Sequence, residues 1–186
     1  LTYGDHIDHV VRKCTGTLIA LVHMSHALPN SVMKQIVVSL VMSTIRYCIA
    51  IYGTCGVTQL HRIQKLINFC ARVVSRKRKY DHISQEVRRL GFLTASQLFA
   101  YHQLCLVRRI IVTGEPQALN MFTTTDHDHS TRYAHRFVTT RARTCAGERR
   151  IFNGGIRRYN GLPSRVRDAA TMSGFKRELE LALFDM

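Results

Sequence analysis

Apolar residues recur at three- and four-residue steps over most of the first 113 positions, the period of an α-helix. Ile7, Val10, Cys14, Leu18 and Leu21, closing on Met24 or Ser25, predict a first helix from about Asp5 to Ala27. Pro29-Asn30-Ser31 interrupts the pattern, and Ser31 can cap the next helix. That second helix, about Val32 to Tyr52, is apolar on most sides, as expected in the middle of a bundle. Gly53 is its natural stop. Its most apolar part, Ile36 to Ile51, is broken by Ser39, Ser43, Thr44 and Arg46. It falls short of the ~18 apolar residues a membrane span requires, so a buried helix is predicted and no membrane partner.

Thr58 can cap a third helix, about Gln59 to Arg76, whose apolar face is Leu60, Ile63, Ile67, Cys70 and Val74. The run Arg76-Lys77-Arg78-Lys79 ends it and suits the negative end of the helix dipole. A short helix is predicted at about Ser84 to Leu90, stopped by Gly91. Thr94 with Gln97 forms a capping-box pattern for a helix from about Ala95 to Thr113. Gly114 follows, and Pro116 can open a short helical turn.

The apolar period dissolves from Phe122 to Arg150. Residues 123–131 are polar and turn-prone, and the arginines that follow have little apolar company. A long, poorly ordered connection is expected there. Order is expected to return at Ile151, with Ser173 capping a last amphipathic helix through Phe175, Leu179, Ala182 and Leu183. The reading is therefore all-α: an irregular helical bundle over 1–121, an Arg-rich connection over 122–150, and a small C-terminal helical extension over 151–186.

Charge changes the picture more than any other property. The 186 residues carry 27 Lys and Arg against 12 Asp and Glu, a formal net charge of +15, and 21 of the 27 cations are Arg. The Arg guanidinium is a planar fork of donors that fits phosphate bidentately, so this bias favours nucleic acid. With 46% apolar residues, the chain has enough to bury for a globular core. A secreted enzyme and a disordered tail are poor fits. No charged stretch followed by an apolar one opens the chain at Leu1, so no signal peptide is predicted, and the chain reads as a piece of something longer. The cysteines at 14, 48, 55, 70, 105 and 145 include no C-x-x-C pair. Cys14, Cys70 and Cys105 fall on apolar helix faces and are expected to be reduced core residues of an intracellular protein, nuclear or cytoplasmic.

The third helix carries the main candidate site. Arg62, Lys65, Phe69, Arg72 and Arg76 are spaced to fall on one face, opposite the apolar one, along ~21 Å. Such a ridge can follow phosphates without reading sequence, and Phe69 can stack on a base or sugar. Lys77, Arg78 and Lys79 extend it. The bland alternative is a solvated face with Phe69 tucked under a neighbour. The second candidate is the segment holding Arg132, Arg136, Arg141, Arg143, Arg149, Arg150, Arg157 and Arg158, of the kind that orders on RNA or DNA; its bland alternative is a solvated linker. His6 with His9, His23 with His26, and Asp126-His127-Asp128-His129 invite a metal reading. They lack a nearby Cys pair or the H-E-x-x-H pattern, so no metal and no cofactor is assigned. Neither G-x-S-x-G nor a P-loop is present, and Gly154-Gly155 lacks the Lys-Ser/Thr a P-loop needs.

Landmarks in order along the chain resemble the C-terminal region of reverse transcriptases from non-LTR (LINE-type, jockey-like) retrotransposons. They are Leu1-Thr2 ahead of His6-Ile7; Arg46-Tyr47 then Ile51-Tyr52-Gly53; Leu60, Gln64, Asn68 and Arg72; Thr131-Arg132; and Tyr159-Asn160-Gly161-Leu162-Pro163 followed by Ser173-Gly174-Phe175-Lys176. Tyr52 and Tyr159 stand where that family usually has Trp, and Ile67 replaces a second Gln. The resemblance implies that residues 1 to about 113 form the helical thumb, packing on an RNA and DNA template–primer beside an upstream polymerase palm. The remainder would be a post-thumb extension. The family's catalytic carboxylates and their Mg belong upstream, and no two Asp are adjacent in this chain, so this part is expected to be non-catalytic. Two other readings stand beside it. One is a protein-interaction scaffold with a groove between the second and fifth helices; the other is an isolated domesticated RNA-binding domain.

Overall fold

The computed structural model describes residues 3–119, 137–139 and 141–184. Every regular element among them is helical, the all-α class that the spacing predicts. The chain packs as two units, Leu1–Phe99 and Ala100–Met186. Periodicity alone puts limits at 121 and 150. The observed division lies inside a continuous helix, where the apolar pattern gives no break to read.

In the first unit, α1 (Gly4–Met24) buries Ile7, Val10, Cys14, Leu18 and Leu21. It stops three residues before the expected Ala27. Ser25, not Met24, continues the buried row, at 6% against 51% exposure. The Ser25 hydroxyl donates to the Val22 carbonyl at 2.6 Å, which also accepts from the Ser25 backbone N–H at 3.2 Å.

The predicted second helix is not one helix, nor is it buried all round. α2 (Asn30–Val37) starts behind Pro29, so Ser31 lies inside it rather than capping it. A π-helical turn (Val38–Met42) and α3 (Ser43–Arg46) continue it. The chain then breaks at Tyr47 and Cys48, Cys48 taking the left-handed region at φ 56°, before α4 (Ile49–Tyr52). Met33, Val37, Val41, Met42, Ile45, Ile49 and Tyr52 are buried, whereas Val32, Leu40, Tyr47 and Ile51 are exposed. Polar chemistry explains the break. The buried Tyr52 hydroxyl donates to the Ile45 carbonyl, replacing a helical bond. Ser39 and Thr44 donate to the carbonyls four residues back, at 2.8 and 2.9 Å, which lets hydroxyls sit in an apolar helix. Gly53 keeps a right-handed φ of −64°. Its lack of a side chain matters for space: a Cβ there would run into the Phe99 ring.

α5 (Val57–Ser75) begins behind Gly56, so Thr58 falls in its first turn. It buries Ile63, Leu66, Ile67, Cys70, Ala71, Val73 and Val74 and packs along both α1 and α2. α6 (Ser84–Arg89) ends before Gly91, the expected stop, which takes the left-handed region at φ +70°. α7 (Ala95–Thr113) has the predicted limits. Its capping box is made: the Gln97 N–H donates to Thr94 Oγ1 at 3.3 Å, and the Thr94 N–H donates to Gln97 Oε1 at 3.0 Å. Gln64 adds a third cap from α5, its Oε1 accepting from the Ala95 N–H at 2.8 Å while its amide donates to Asn68 at 2.8 Å.

In the second unit, Leu104, Val107 and Ile110 of α7 are buried. Gln117–Leu119 forms the short turn expected after Pro116. Of the connection expected at 122–150, residues 122–136 and 140 lie outside the described residues. The rest includes a helix, α8 (Cys145–Arg149), capped by Thr144. A π-helical turn (Ile151–Gly155), α9 (Ile156–Asn160), α10 (Ser164–Arg167) and α11 (Met172–Phe184) follow. Gly154 and Gly155 serve close approach: a Cβ on Gly155 would sit 3.2 Å from Val107 and 3.3 Å from Gln103. α11 buries the four predicted residues, Phe175, Leu179, Ala182 and Leu183. Its cap is Thr171, which accepts from the Gly174 N–H at 3.1 Å; Ser173 lies inside the helix. Among the described residues, no helix is long and apolar enough to cross a membrane.

Candidate nucleic-acid interface

The predicted ridge on α5 is shorter than its spacing implies. The helix ends at Ser75, and Arg76 leaves it in the left-handed region at φ 52°. An L-residue pays roughly 1–2 kcal/mol for that conformation, and Arg76 is held there by donating to the Leu28 carbonyl at 2.7 Å. The helical stripe therefore runs from Arg62 to Arg72, ~15 Å. Arg62 is ion-paired with Asp8 at 2.6 Å and donates to Gln59 at 2.9 Å. Arg72 makes a long bond of 3.3 Å to the Asp81 carbonyl, and its buried Nε has no acceptor among the described residues. Lys65 is fully on the surface, as are Lys77, Arg78 and Lys79 in the turn after the helix. The Lys79 ammonium sits 5.4 Å above the Tyr80 ring.

Phe69 is half-buried, neither free on the surface nor lost in the core. With Ile19, Val22 and Val73 it forms the apolar lining of a groove of 640 Å³ between α1 and α5. Arg72, Arg76, Lys77 and Lys79 line the α5 side, and His23 and His26 the α1 side. Sequence spacing puts Phe69 on the basic stripe but cannot show that α1 supplies an opposing apolar wall.

The C-terminal arginines divide by role. Arg132 and Arg136 lie outside the described residues. Arg141, Arg143 and Arg150 are exposed. Arg157 pairs with Glu148 at 2.7 Å. Arg158 is exposed along much of its length, but its guanidinium donates to Gln103 at 2.5 Å, where partial desolvation lowers its pKa. The Arg149 carbonyl accepts from Gln103 at 3.1 Å. Gln103, fully buried, thus ties α7 to this segment.

Arg108 is a residue that sequence spacing does not single out. Its guanidinium donates to the Tyr159 hydroxyl at 3.1 Å and to the carbonyls of Arg167 and Ala169 at 3.0 and 2.6 Å, and lies 5.6 Å from the Phe175 ring centre. A charged residue beside Leu104, Val107 and Ile110 on one helix is the available signal, because such a residue must find partners to be buried. The motif-like residues near it also have structural tasks. Asn160 exchanges two bonds with the Phe137 backbone, at 2.9 and 3.2 Å.

The six cysteines are free. Burial raises the thiol pKa of Cys14 and Cys70, and pushes Cys105 up to about 11. Cys105 is only half-buried, less than its apolar face implies, while Cys55 is buried. His6 packs on the Tyr52 ring at 5.0 Å. No group of three His, Cys, Asp or Glu able to hold a metal occurs among the described residues. No protein-family model, no curated protein and no solved structure matches the chain.

Proposed function

We propose that this chain is a non-catalytic element that grips nucleic acid without sequence preference. In this reading it is the C-terminal, thumb and post-thumb part of a non-LTR retrotransposon RNA-directed DNA polymerase. The observation that carries the grip is the exposed cationic surface of Lys65, Lys77, Arg78 and Lys79, continued by Arg76. Residues 1–99 hold thirteen Lys and Arg against four acids, a net of +9. Asp8 and Glu86 are taken up by Arg62 and Arg89, and Asp81 accepts from the Arg78 backbone N–H. Little carboxylate is left to neutralise the surface, and phosphate is the abundant counter-charge that such a surface attracts.

The polymerase assignment rests on the ordered sequence landmarks. They make a template–primer of RNA and DNA the ligand, the palm of the same parent chain the neighbour, and the nucleus or cytoplasm the place of action. The Mg of the parent's reaction would belong to that upstream palm.

Fluorescence anisotropy on a labelled blunt duplex, titrated with salt, tests the grip. Neutralising about four phosphates predicts a log–log slope of about −3 to −4. The combined variant Lys65→Gln, Lys77→Gln, Arg78→Gln and Lys79→Gln avoids the bonded Arg62, Arg72 and Arg76. It is expected to keep its circular dichroism, since exposed substitutions usually change stability by less than ~0.5 kcal/mol each. Its affinity falls, and its slope flattens by nearly the number of phosphates it no longer neutralises. Absence of binding at low salt, or an unchanged slope in the folded variant, rejects the reading.

A further inference from the structure

The α1–α5 groove differs from the ridge beside it because apolar side chains wall it from both helices while its Lys and Arg lie on one side. Ile19 and Val22, 50% and 40% exposed, present apolar surface from α1, and Phe69 and Val73 do so from α5. Every Lys and Arg of the lining comes from α5 and the turn that follows, and no carboxylate lines the groove among the described residues. At 640 Å³ it falls within the ~300–1,000 Å³ range of small-ligand sites. Two of its cations are incompletely used. Arg72 makes one long bond, and Arg76 donates one bond to Leu28, so both forks retain donors for an anion.

The matching ligand has a flat apolar body and an anionic group on one edge. An acidic amphipathic helix carries charge on both flanks of its apolar stripe and matches a one-sided rim poorly. A single nucleotide has the required division: a base with two π-faces and a phosphate on one side. We propose that this groove receives one unpaired nucleotide at the end of a gripped strand, its base against Phe69 and the α1 wall and its phosphate on Arg72 and Arg76. This rests on the nucleic-acid reading above and adds to it a preference for a strand end with a base to insert.

The test compares a blunt duplex with the same duplex bearing a one-nucleotide 3′ or 5′ overhang, and with an abasic overhang that adds the phosphate but no base. At least one base-bearing overhang is expected to bind roughly fivefold or more tightly than its abasic counterpart. Phe69→Ala and Phe69→Leu are both expected to erase that preference while leaving the blunt-duplex salt slope intact. The leucine variant retains apolar packing should the alanine variant unfold. Equal affinity for base and abasic ends, or a preference that survives Phe69→Leu, overturns the proposal while the grip stands. A labelled acidic amphipathic peptide forms a further arm. Peptide binding abolished by Phe69→Leu, with no overhang preference, makes the groove a protein site and overturns the proposal. If the blunt duplex does not bind at all, the grip fails, and a trinucleotide too short to span the ridge tests the groove alone. Its binding must then depend on Phe69, or the proposal falls as well.

Discussion

Cys14, Cys55 and Cys70 sit in the core of the first unit, whereas Cys48 and Cys145 are exposed and Cys105 is half-buried. Reactivity follows thiolate and access, so this arrangement predicts a rank order. With an alkylating reagent at pH 8, Cys48 and Cys145 are modified first. Cys105, its thiol pKa pushed up to about 11 by burial against the lowering influence of Lys176 and Tyr101, reacts slowly and speeds up close to tenfold per pH unit below that value. The three core thiols react only on unfolding. Mass spectrometry of labelled peptides checks this order, and uniform rapid labelling contradicts the packing described. Gly53 offers a second test at this scale. Gly53→Ala places a methyl group against the Phe99 ring, and overpacking of this kind costs about 1–3 kcal/mol. The expected readout is a lower denaturant midpoint with an unchanged m-value.

Among elements, the start of α7 is held from two directions. Thr94 and Gln97 close the local box, and Gln64 of α5 reaches the Ala95 N–H. Thr94→Ala is expected to cost about 1 kcal/mol, as loss of a capping hydroxyl usually does. Gln64→Ala is expected to cost about 1–3 kcal/mol, since it strands the Ala95 donor and removes the Asn68 partner. Chemical denaturation of each single variant measures both. In the second unit Arg108 joins α7 to the residues around Tyr159, Arg167 and Ala169. Arg108→Gln cannot reach three acceptors at once and leaves carbonyls unsatisfied, so a loss of about 1–3 kcal/mol is expected there. Hydrogen exchange is expected to show α9 to α11 opening more readily in that variant, with α1 to α6 unchanged.

For the whole molecule, a net charge of +15 over 186 residues means self-repulsion in the folded state. Salt screens it over a Debye length of ~10 Å at 0.1 M. The thermal midpoint is therefore expected to rise from low to moderate sodium chloride. Nucleic-acid affinity is expected to fall over the same range. Opposite trends in one set of buffers, read by calorimetry and anisotropy, separate a charged surface that binds from one stabilised mainly by its own ion pairs. Stability that falls as salt is added would identify the second case.

Local information settles much of this architecture. The apolar period of α1 names its buried row to within one residue, and the Thr94 box with Gly114 gives α7 its limits, because caps and helix faces depend on neighbours three or four positions away. The four buried residues of α11 are legible for the same reason. The break at Tyr47 and Cys48 is not, since it depends on the Tyr52 hydroxyl and on which faces of α2 and α3 meet α1 and α5. Likewise, spacing can place Arg62, Arg72 and Arg76 on one stripe. Whether each is paired with Asp8, bonded to a distant carbonyl or open to solvent depends on distant chain segments, Leu28 lying 48 residues from Arg76 and Asp8 farther still from Arg62. Charge and helical order are properties of the residues themselves and are fixed by composition and period. The groove beside Phe69 exists only because α1 and α5 pack side by side, and a surface shared by two helices is decided by tertiary contact, not by the pattern of either helix alone.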